Sequence, residues 1–361
     1  MVKIGIIRTS SIGDLVLATS CISLLRQILP GADLLWLGMN PSLSLLKESY
    51  PKIECVEIDR NLKIKDIVDQ LSEVDFLLDL QMNLRSRIVS HAFKNKYKRP
   101  IFTCAKRQLQ RNRLILESRI YGRRRELPSR ALETLKFQYV QMRDALLLAL
   151  ESMKLVEKHI SIHNEACVPH LPLDHFEDKK ELFERLKGLK WIAISPGASY
   201  ETKRAPLSLF IDPLKRMDNG TNSIGLIFLG DKNDAVVCEE LKSNLNWKGP
   251  VLDLAGQLSL WENAAVLNRC MFLISNDSSL GHIAEAVDTP VLIFFGPTVE
   301  GFGFAPRKKE SKAFSSKLGC RPCSKHGKTV CRFGDKLCFH QINTEDVYHH
   351  MTGILQSKDF R

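Results

Sequence analysis

Short apolar runs recur along this chain. Each is followed by a small polar loop and then by a stretch where apolar residues return every three or four positions. Runs that are apolar throughout, rather than alternating, read as strands covered on both faces, as in a parallel sheet. In the first half, strands are expected over residues 2–8, 34–37, 55–58 and 76–80. Helices are expected over 14–29, 42–48, 64–71, 84–93 and 130–153, and Pro30-Gly31 closes the first of them. A loop rich in His, Pro and acids, 162–178, reads as a linker. The same grammar then restarts, with strands over 191–194, 223–229, 251–254, 271–274 and 291–295 and helices over 207–217, 234–241 and 345–355. Ser259-Leu260-Trp261-Glu262 has the spacing of a capping box and opens one more helix. Two successive α/β halves predict two Rossmann-like, doubly wound domains, 1–170 and 171–361, facing across a cleft. The last helix is free to pack back on the first domain.

The loops that end these strands carry the chemistry. Asn276-Asp277-Ser278-Ser279-Leu280-Gly281-His282 follows a buried strand and leads into a helix. Free backbone N–H groups at such a place hold phosphates, and a carboxylate with an imidazole five residues on adds reactive groups. Ser195-Pro196-Gly197 ends another strand, and Lys203-Arg204 precedes a helix, a pairing suited to a diphosphate. Asp234, in a third such loop, is placed either to hold ribose hydroxyls or to cap a helix. After the first strand, Ser11 and Asp14 have capping-box spacing. The alternative is that Asp14 takes a proton from an acceptor hydroxyl. No G-x-G-x-x-G follows that strand, which argues against a dinucleotide enzyme.

Charge adds a partner. The chain has a formal charge of +11, and residues 83–125 hold 14 Lys or Arg against one acid, Glu117, so the remainder is near neutral. A single basic surface of that kind attracts an anionic partner. Arg85, Arg87, Lys94, Lys98 and Arg99 are its candidate contacts to an acceptor or a membrane. Nucleic acid is not expected, because aromatic interleaving is sparse. No apolar run reaches the ~20 residues of a membrane span, and the N-terminus reads as a strand rather than a secretory signal, so a cytoplasmic protein is expected. Cys320, Cys323, Cys331 and Cys338 have the spacing of a Cys₄ zinc site, with free thiols or a disulfide as the alternatives.

The pattern resembles the bacterial heptosyltransferases of glycosyltransferase family 9. The resemblance rests on Thr9-Ser10-Ser11-Ile12-Gly13-Asp14, Ser195-Pro196-Gly197-Ala198-Ser199 with Lys203-Arg204, Asp253-Leu254-Ala255-Gly256, Asn276-Asp277 through His282, and Phe295-Gly296-Pro297-Thr298. It implies a GT-B architecture and an inverting, metal-independent transfer from ADP-heptose to the anionic inner core of lipopolysaccharide. No cofactor is required, and the protein would lie peripherally on the cytoplasmic face of the inner membrane. It makes Asp14 the general base, with Ser10, Ser11 and Gly13 on the acceptor side. On the donor side it places Ser195, Gly197, Lys203, Arg204, Asp234, Asp277, Ser278, Ser279, Leu280, Gly281 and His282. Ser20, Ala205, Asp231-Lys232 and Ser279 depart from the family's usual residues. Rival readings are transfer of another nucleotide-activated sugar to a surface glycan, a non-catalytic nucleotide-binding protein, and a basic nucleic-acid-binding module.

Overall fold

The apolar runs do form parallel sheets. A computed structural model describes residues 1–59, 61–104, 108–132, 137–158, 167–176, 180–218 and 223–357. In the first sheet, β1 (Lys3–Ile7), β2 (Asp33–Gly38), β3 (Glu54–Glu57), β4 (Phe76–Asp79) and β5 (Ile101–Thr103) lie in the order β3-β2-β1-β4-β5. In the second, β6 (Lys190–Ser195), β7 (Ile224–Phe228), β8 (Val251–Asp253), β9 (Phe272–Asn276), β10 (Val291–Phe295) and β11 (Lys312–Ser315) lie in the order β11-β10-β9-β6-β7-β8. Every ladder is parallel. Central strands such as β9 and β10 are buried at every residue, as helices on both faces require.

Strand order locates two crevices. The first sheet grows outward from β1 to β3, then restarts on β1's other side with β4. The second grows from β6 to β8, then restarts beside β6 with β9. Loops diverge at the carboxyl ends of such strand pairs, and that is where open α/β sheets bind ligands.

Some elements differ from the pattern's expectation. The helix expected over 14–29 is two, Ile12–Ala18 and Ser20–Ile28. At the join, the Thr19 and Ser20 hydroxyls donate to the Val16 and Leu17 carbonyls at 2.7 and 2.9 Å, competing with the helical ladder. The helix expected over 84–93 runs on, as Leu84–Tyr97, and ends where Lys98 turns left-handed (φ 57°). β5 and β11 are too short and too polar to show as apolar runs. The helix Gln108–Tyr121 also escaped the pattern, because it is apolar on two opposite faces and shows no single stripe. Of the helix expected over 130–153, residues 133–136 lie outside the described residues, and so do 162–166 and 177–178 of the expected linker.

The chain forms two compact units: Met1–Lys106 with Gln138–Phe176, and Arg107–Phe137 with Glu177–Arg361. In the second, Leu114, Ile115, Leu127 and Ala131 pack with Val299 and Phe302, and the Leu127 N–H donates to the Lys317 carbonyl at 2.7 Å. The basic segment is therefore divided. Arg85, Arg87, Lys94, Lys96, Lys98 and Arg99 belong to the first unit, and Arg111, Arg113, Arg119 and Arg123 to Arg125 to the second. Lys106 and Arg107 lie outside the described residues. The last helix, Thr344–Ser357, buries Val347, Met351 and Ile354 in the second unit's core, against the helix Ser208–Met217.

Candidate active site

In the first unit, the chain leaves β1 at Arg8 and turns into the helix Ile12–Ala18. Gln81, after β4, clamps this turn. Its side-chain carbonyl accepts the Thr9 and Ser10 N–H groups at 3.0 and 3.2 Å, and its amide donates to the Ser10 hydroxyl at 3.2 Å. Asp79, at the end of β4, accepts the Gln81 and Met82 N–H groups and the Ser86 hydroxyl at 2.8–2.9 Å, which fixes Gln81 in turn. Asp14 sits on the turn's far side. Its Oδ2 accepts the Ser11 hydroxyl at 3.1 Å and the Ser11 N–H at 3.5 Å, and pairs with the buried Arg8 guanidinium. Arg8 also donates to the Leu80 carbonyl at 2.6 Å. The capping reading of Asp14 is present in this geometry. One oxygen closes the helix start, while Oδ1 accepts nothing among the described residues. Gly13 is buried in the helix that begins here.

The five basic residues named for the acceptor are not brought together. Arg85 and Arg87 stand in the first turn of Leu84–Tyr97, beside the Asp79–Gln81 network. Arg85 is spent on structure, donating to the Asp59 and Leu62 carbonyls at 2.6 and 3.0 Å, whereas Arg87 is exposed. Lys94 and Lys98 lie further along, about 12 and 18 Å away at 1.5 Å per residue. Arg99 there donates to the Ser72 and Val74 carbonyls, just before β4 begins.

In the second unit, Asn276 ties the crevice together. Fully buried at the end of β9, it accepts the Ala205 N–H at 3.1 Å and donates to the Pro196 carbonyl, after β6, at 2.6 Å. Beyond it, Asp277 Oδ2 takes the Lys203 ammonium at 2.7 Å and the Thr298 hydroxyl at 2.7 Å, and Lys203 also reaches the Asp277 carbonyl at 3.2 Å. Burial alone would raise the Asp277 carboxyl. The Lys203 cation, the Thr298 hydrogen bond and His282 outweigh it and hold the group below the ordinary carboxylate range. Ser278 precedes the helix Ser279–Ala286 in extended conformation, but its buried hydroxyl does not cap that helix and has no hydrogen-bond partner among the described residues. The helix start therefore offers N–H groups without a side-chain cap, next to an ammonium, as an anion site requires. Leu280 and Gly281 are buried in its first turns, and the His282 ring lies 6.0 Å from that of Phe304.

Asp234 closes the other side. A Cβ on Gly197 would meet its carboxyl at 2.0–2.3 Å, and one on Gly230 would meet its Cβ at 2.7 Å. Glycine at the ends of β6 and β7 is what lets this carboxylate lie down on the sheet edge. Burial raises the Asp234 carboxyl, opposed by the Asp231 N–H that it accepts at 3.1 Å and by Arg204 at 3.8 Å. Arg204 is held to the loop by donating to the Ala198 carbonyl at 3.2 Å. Ser195 is buried at the end of β6.

The four clustered cysteines are free thiols, one of the alternatives the spacing left open. Cys320, Cys323, Cys331 and Cys338 surround one cavity of about 50 Å³. Yet among the described residues no three His, Cys, Asp or Glu side chains are set to hold a metal ion. The zinc geometry is not present. Burial pushes the Cys323 thiol up to about 11 and Cys338 to about 12, so both are protonated at neutral pH. The cysteine segment buttresses the loops around Asp277. Arg321, fully buried between two of these cysteines, donates to the Gly296 and Thr298 carbonyls at 2.6 and 2.7 Å and to that of Ser316. Thr202 and Lys328 exchange hydrogen bonds at 2.7 and 2.9 Å, fixing the turn that carries Lys203. Both partners of Asp277 are thus held from the same stretch. Arg8, Gln81, Asn276 and Arg321 were absent from the sequence's candidate site residues. Only Asn276 had a signal, its place inside the loop motif; the others act through distant backbone carbonyls and N–H groups.

A family model described as glycosyltransferase family 9 (heptosyltransferase) matches residues 129–332. Lipopolysaccharide heptosyltransferase 1 of Pseudomonas aeruginosa is 28% identical over 175 residues, 48% of this chain and 44% of that protein. The matched stretch therefore spans less than half of that relative's length. A family 9 glycosyl transferase from Veillonella parvula superposes with a TM-score of 0.68 at 16% identity, covering 99% of this chain and 97% of that one. ADP-heptose lipopolysaccharide heptosyltransferase II of Escherichia coli gives 0.67 at 17% identity, with 98% of each chain covered. The fold class is GT-B.

Proposed function

Because the chain belongs to glycosyltransferase family 9, we propose that it transfers heptose from ADP-heptose to the inner core of a lipopolysaccharide acceptor, with inversion at the anomeric carbon. The observation that carries the donor half is the Lys203–Asp277–Thr298 cluster beside a helix start without a side-chain cap. The donor diphosphate sits on the N–H groups of Ser279, Leu280 and Gly281. It draws Lys203, with Arg204 and His282 as further positive or donating groups, and the Ser278 hydroxyl gains a partner. Asp234, over Gly197 and near Ser195, takes the ribose hydroxyls. In the first unit, Asp14 Oδ1 accepts the proton of the acceptor hydroxyl, and Ser10, Ser11, Gly13 and Arg87 form its surroundings. As that oxygen bonds to the anomeric carbon, the bond to ADP breaks and its electron pair leaves on the diphosphate. The cations and N–H groups named supply the stabilising charge, so no step requires a metal. The acceptor is lipid-borne, which places the protein peripherally at the cytoplasmic face of a membrane. No helix among the described residues is long and apolar enough to cross one.

A second reading, another nucleotide-activated sugar, is favoured by Ser279. A side chain there stands where the family usually keeps glycine for close approach of phosphate. Thermal-shift titration with ADP, UDP, GDP and their sugars separates the two, followed by NMR of the transferred anomeric centre. Stabilisation by ADP-heptose and product of inverted configuration is expected. A UDP or GDP preference sinks the ADP-heptose assignment, and retained configuration sinks the single displacement.

A further inference from the structure

The helix Gln108–Tyr121 carries two apolar faces. Leu114 and Ile115 are buried on the second unit's core, with Ser118 between them. On the opposite side, Leu109, Leu116 and Ile120 fall within about 40° of arc at 100° per residue. They are 84%, 57% and 61% exposed. A helix that is apolar on two sides needs two partners, and the fold supplies one. Beyond the helix end a separate extension lines the cysteine-walled cavity together with Ser118. Phe333 lies against Gly122 and under the Arg123 guanidinium at 4.2 Å, and the exposed Val330 is close by in sequence. Arg332 fastens this extension by donating to the Arg119 carbonyl at 3.1 Å.

We propose that this stripe is a docking surface for an anionic lipid bilayer, lying in the plane of the interface. Charge complementarity selects this occupant. Arg113, Arg119 and Arg124 flank the apolar residues and are exposed. The one acid of the helix, Glu117, is engaged by Arg113, Arg125 and Arg130 and leaves the face cationic. Apolar residues set between arginines on a helix about 20 Å long make an interfacial amphipathic helix. Three aliphatic side chains are too small a core for a stable protein–protein interface, which needs ~800 Å² on each side. The proposal rests on the lipid-borne acceptor read above and names the surface that reaches it. It also moves membrane contact away from the Leu84–Tyr97 helix.

Flotation with vesicles tests it, using the full chain and comparing pure phosphatidylcholine with a 3:1 mixture of phosphatidylcholine and phosphatidylglycerol. Wild type is expected to prefer the anionic vesicles by about tenfold or more, losing the preference in high salt. Leu109→Ser/Leu116→Ser/Ile120→Ser is expected to lose at least tenfold in partitioning, with melting temperature unchanged because these side chains are exposed. Arg119→Gln/Arg124→Gln is expected to lose roughly fivefold per charge removed. Undiminished vesicle binding by the triple serine variant overturns the proposal, as does equal binding of wild type to neutral vesicles. Sedimentation showing a wild-type dimer that the serine variant dissociates also overturns it, making a second copy the occupant. Transfer to a water-soluble, delipidated acceptor separates the two readings. Stripe-dependent vesicle binding without any sugar transfer leaves the surface standing and removes the activity. Transfer with stripe-independent binding does the reverse.

Discussion

Asp14 and Asp277 each follow a strand that borders its sheet's switch point, one in each unit. Both are held through Oδ2 by a cation and a hydroxyl, and they differ in exposure, 22% for the Asp14 side chain against 13% for Asp277. A base must exchange a proton, so it needs an available lone pair and a fixed ring of supports behind it. A charge organiser must not exchange one. The base role proposed for Asp14 and the organising role proposed for Asp277 therefore rest on exposure and on the kind of neighbour, Arg8 with Ser11 against Lys203 with Thr298, and not on the number of partners.

The sharpest test of that contrast is Asp14→Asn. It is expected to slow single-turnover transfer by about 10³-fold while leaving ADP affinity within about threefold. An equal loss of nucleotide affinity would place Asp14 in the donor site and collapse the distinction. Next in size, Asp277→Asn leaves Lys203 without its carboxylate and is expected to cost about 3 kcal/mol of stability, read as a lowered denaturation midpoint. The folded Asp277 carboxyl is held below its ordinary 3.8. Its stabilisation is therefore complete above that value and fades as pH falls through the lower folded one. Wild type should lose stability in acid through this window, and Asp277→Asn should lose less. Parallel acid profiles would show that Asp277 is not held as a carboxylate.

A smaller effect is expected from Gly197→Ala, whose Cβ would strike the Asp234 carboxyl. Donor affinity should fall about tenfold, and the double variant Gly197→Ala/Asp234→Gly should lose less than the two single losses combined. Additive losses would mean that the glycine acts on the donor directly. The smallest effects separate two neighbours on the first unit's basic helix. Arg85→Ala should cost about 1 kcal/mol of stability through its two carbonyl bonds. Arg87→Ala should leave stability unchanged and raise the acceptor KM. A stability loss at Arg87 would make it structural like Arg85.

Much of this was legible before any coordinates. Uniformly apolar runs could only be parallel strands, because a solvated face would have forced alternation. The capping box at Ser259 needs four consecutive residues and formed as spaced. The Asn276–His282 loop and Lys203 carry their chemistry in adjacent letters. Helix boundaries at Thr19 were not readable, since a hydroxyl's choice of carbonyl depends on local geometry.

What the chain alone determined is the set of strand-end loops and the residue types on them, because alternation of strand and helix and the turn chemistry are short-range. What only the tertiary structure decided is which of those residues are free to act. Strand order made β1/β4 and β6/β9 the crevices. Arg8 took one oxygen of Asp14, and Arg85 and Arg99 were drawn off to backbone carbonyls. Arg321 and Thr202, from segments far apart in sequence, set the partners of Asp277. The basic segment, continuous in sequence, was split between two units because Leu114, Ile115, Leu127 and Ala131 bury on the second. Each of these depends on contacts between residues tens to hundreds of positions apart, and no local pattern records them.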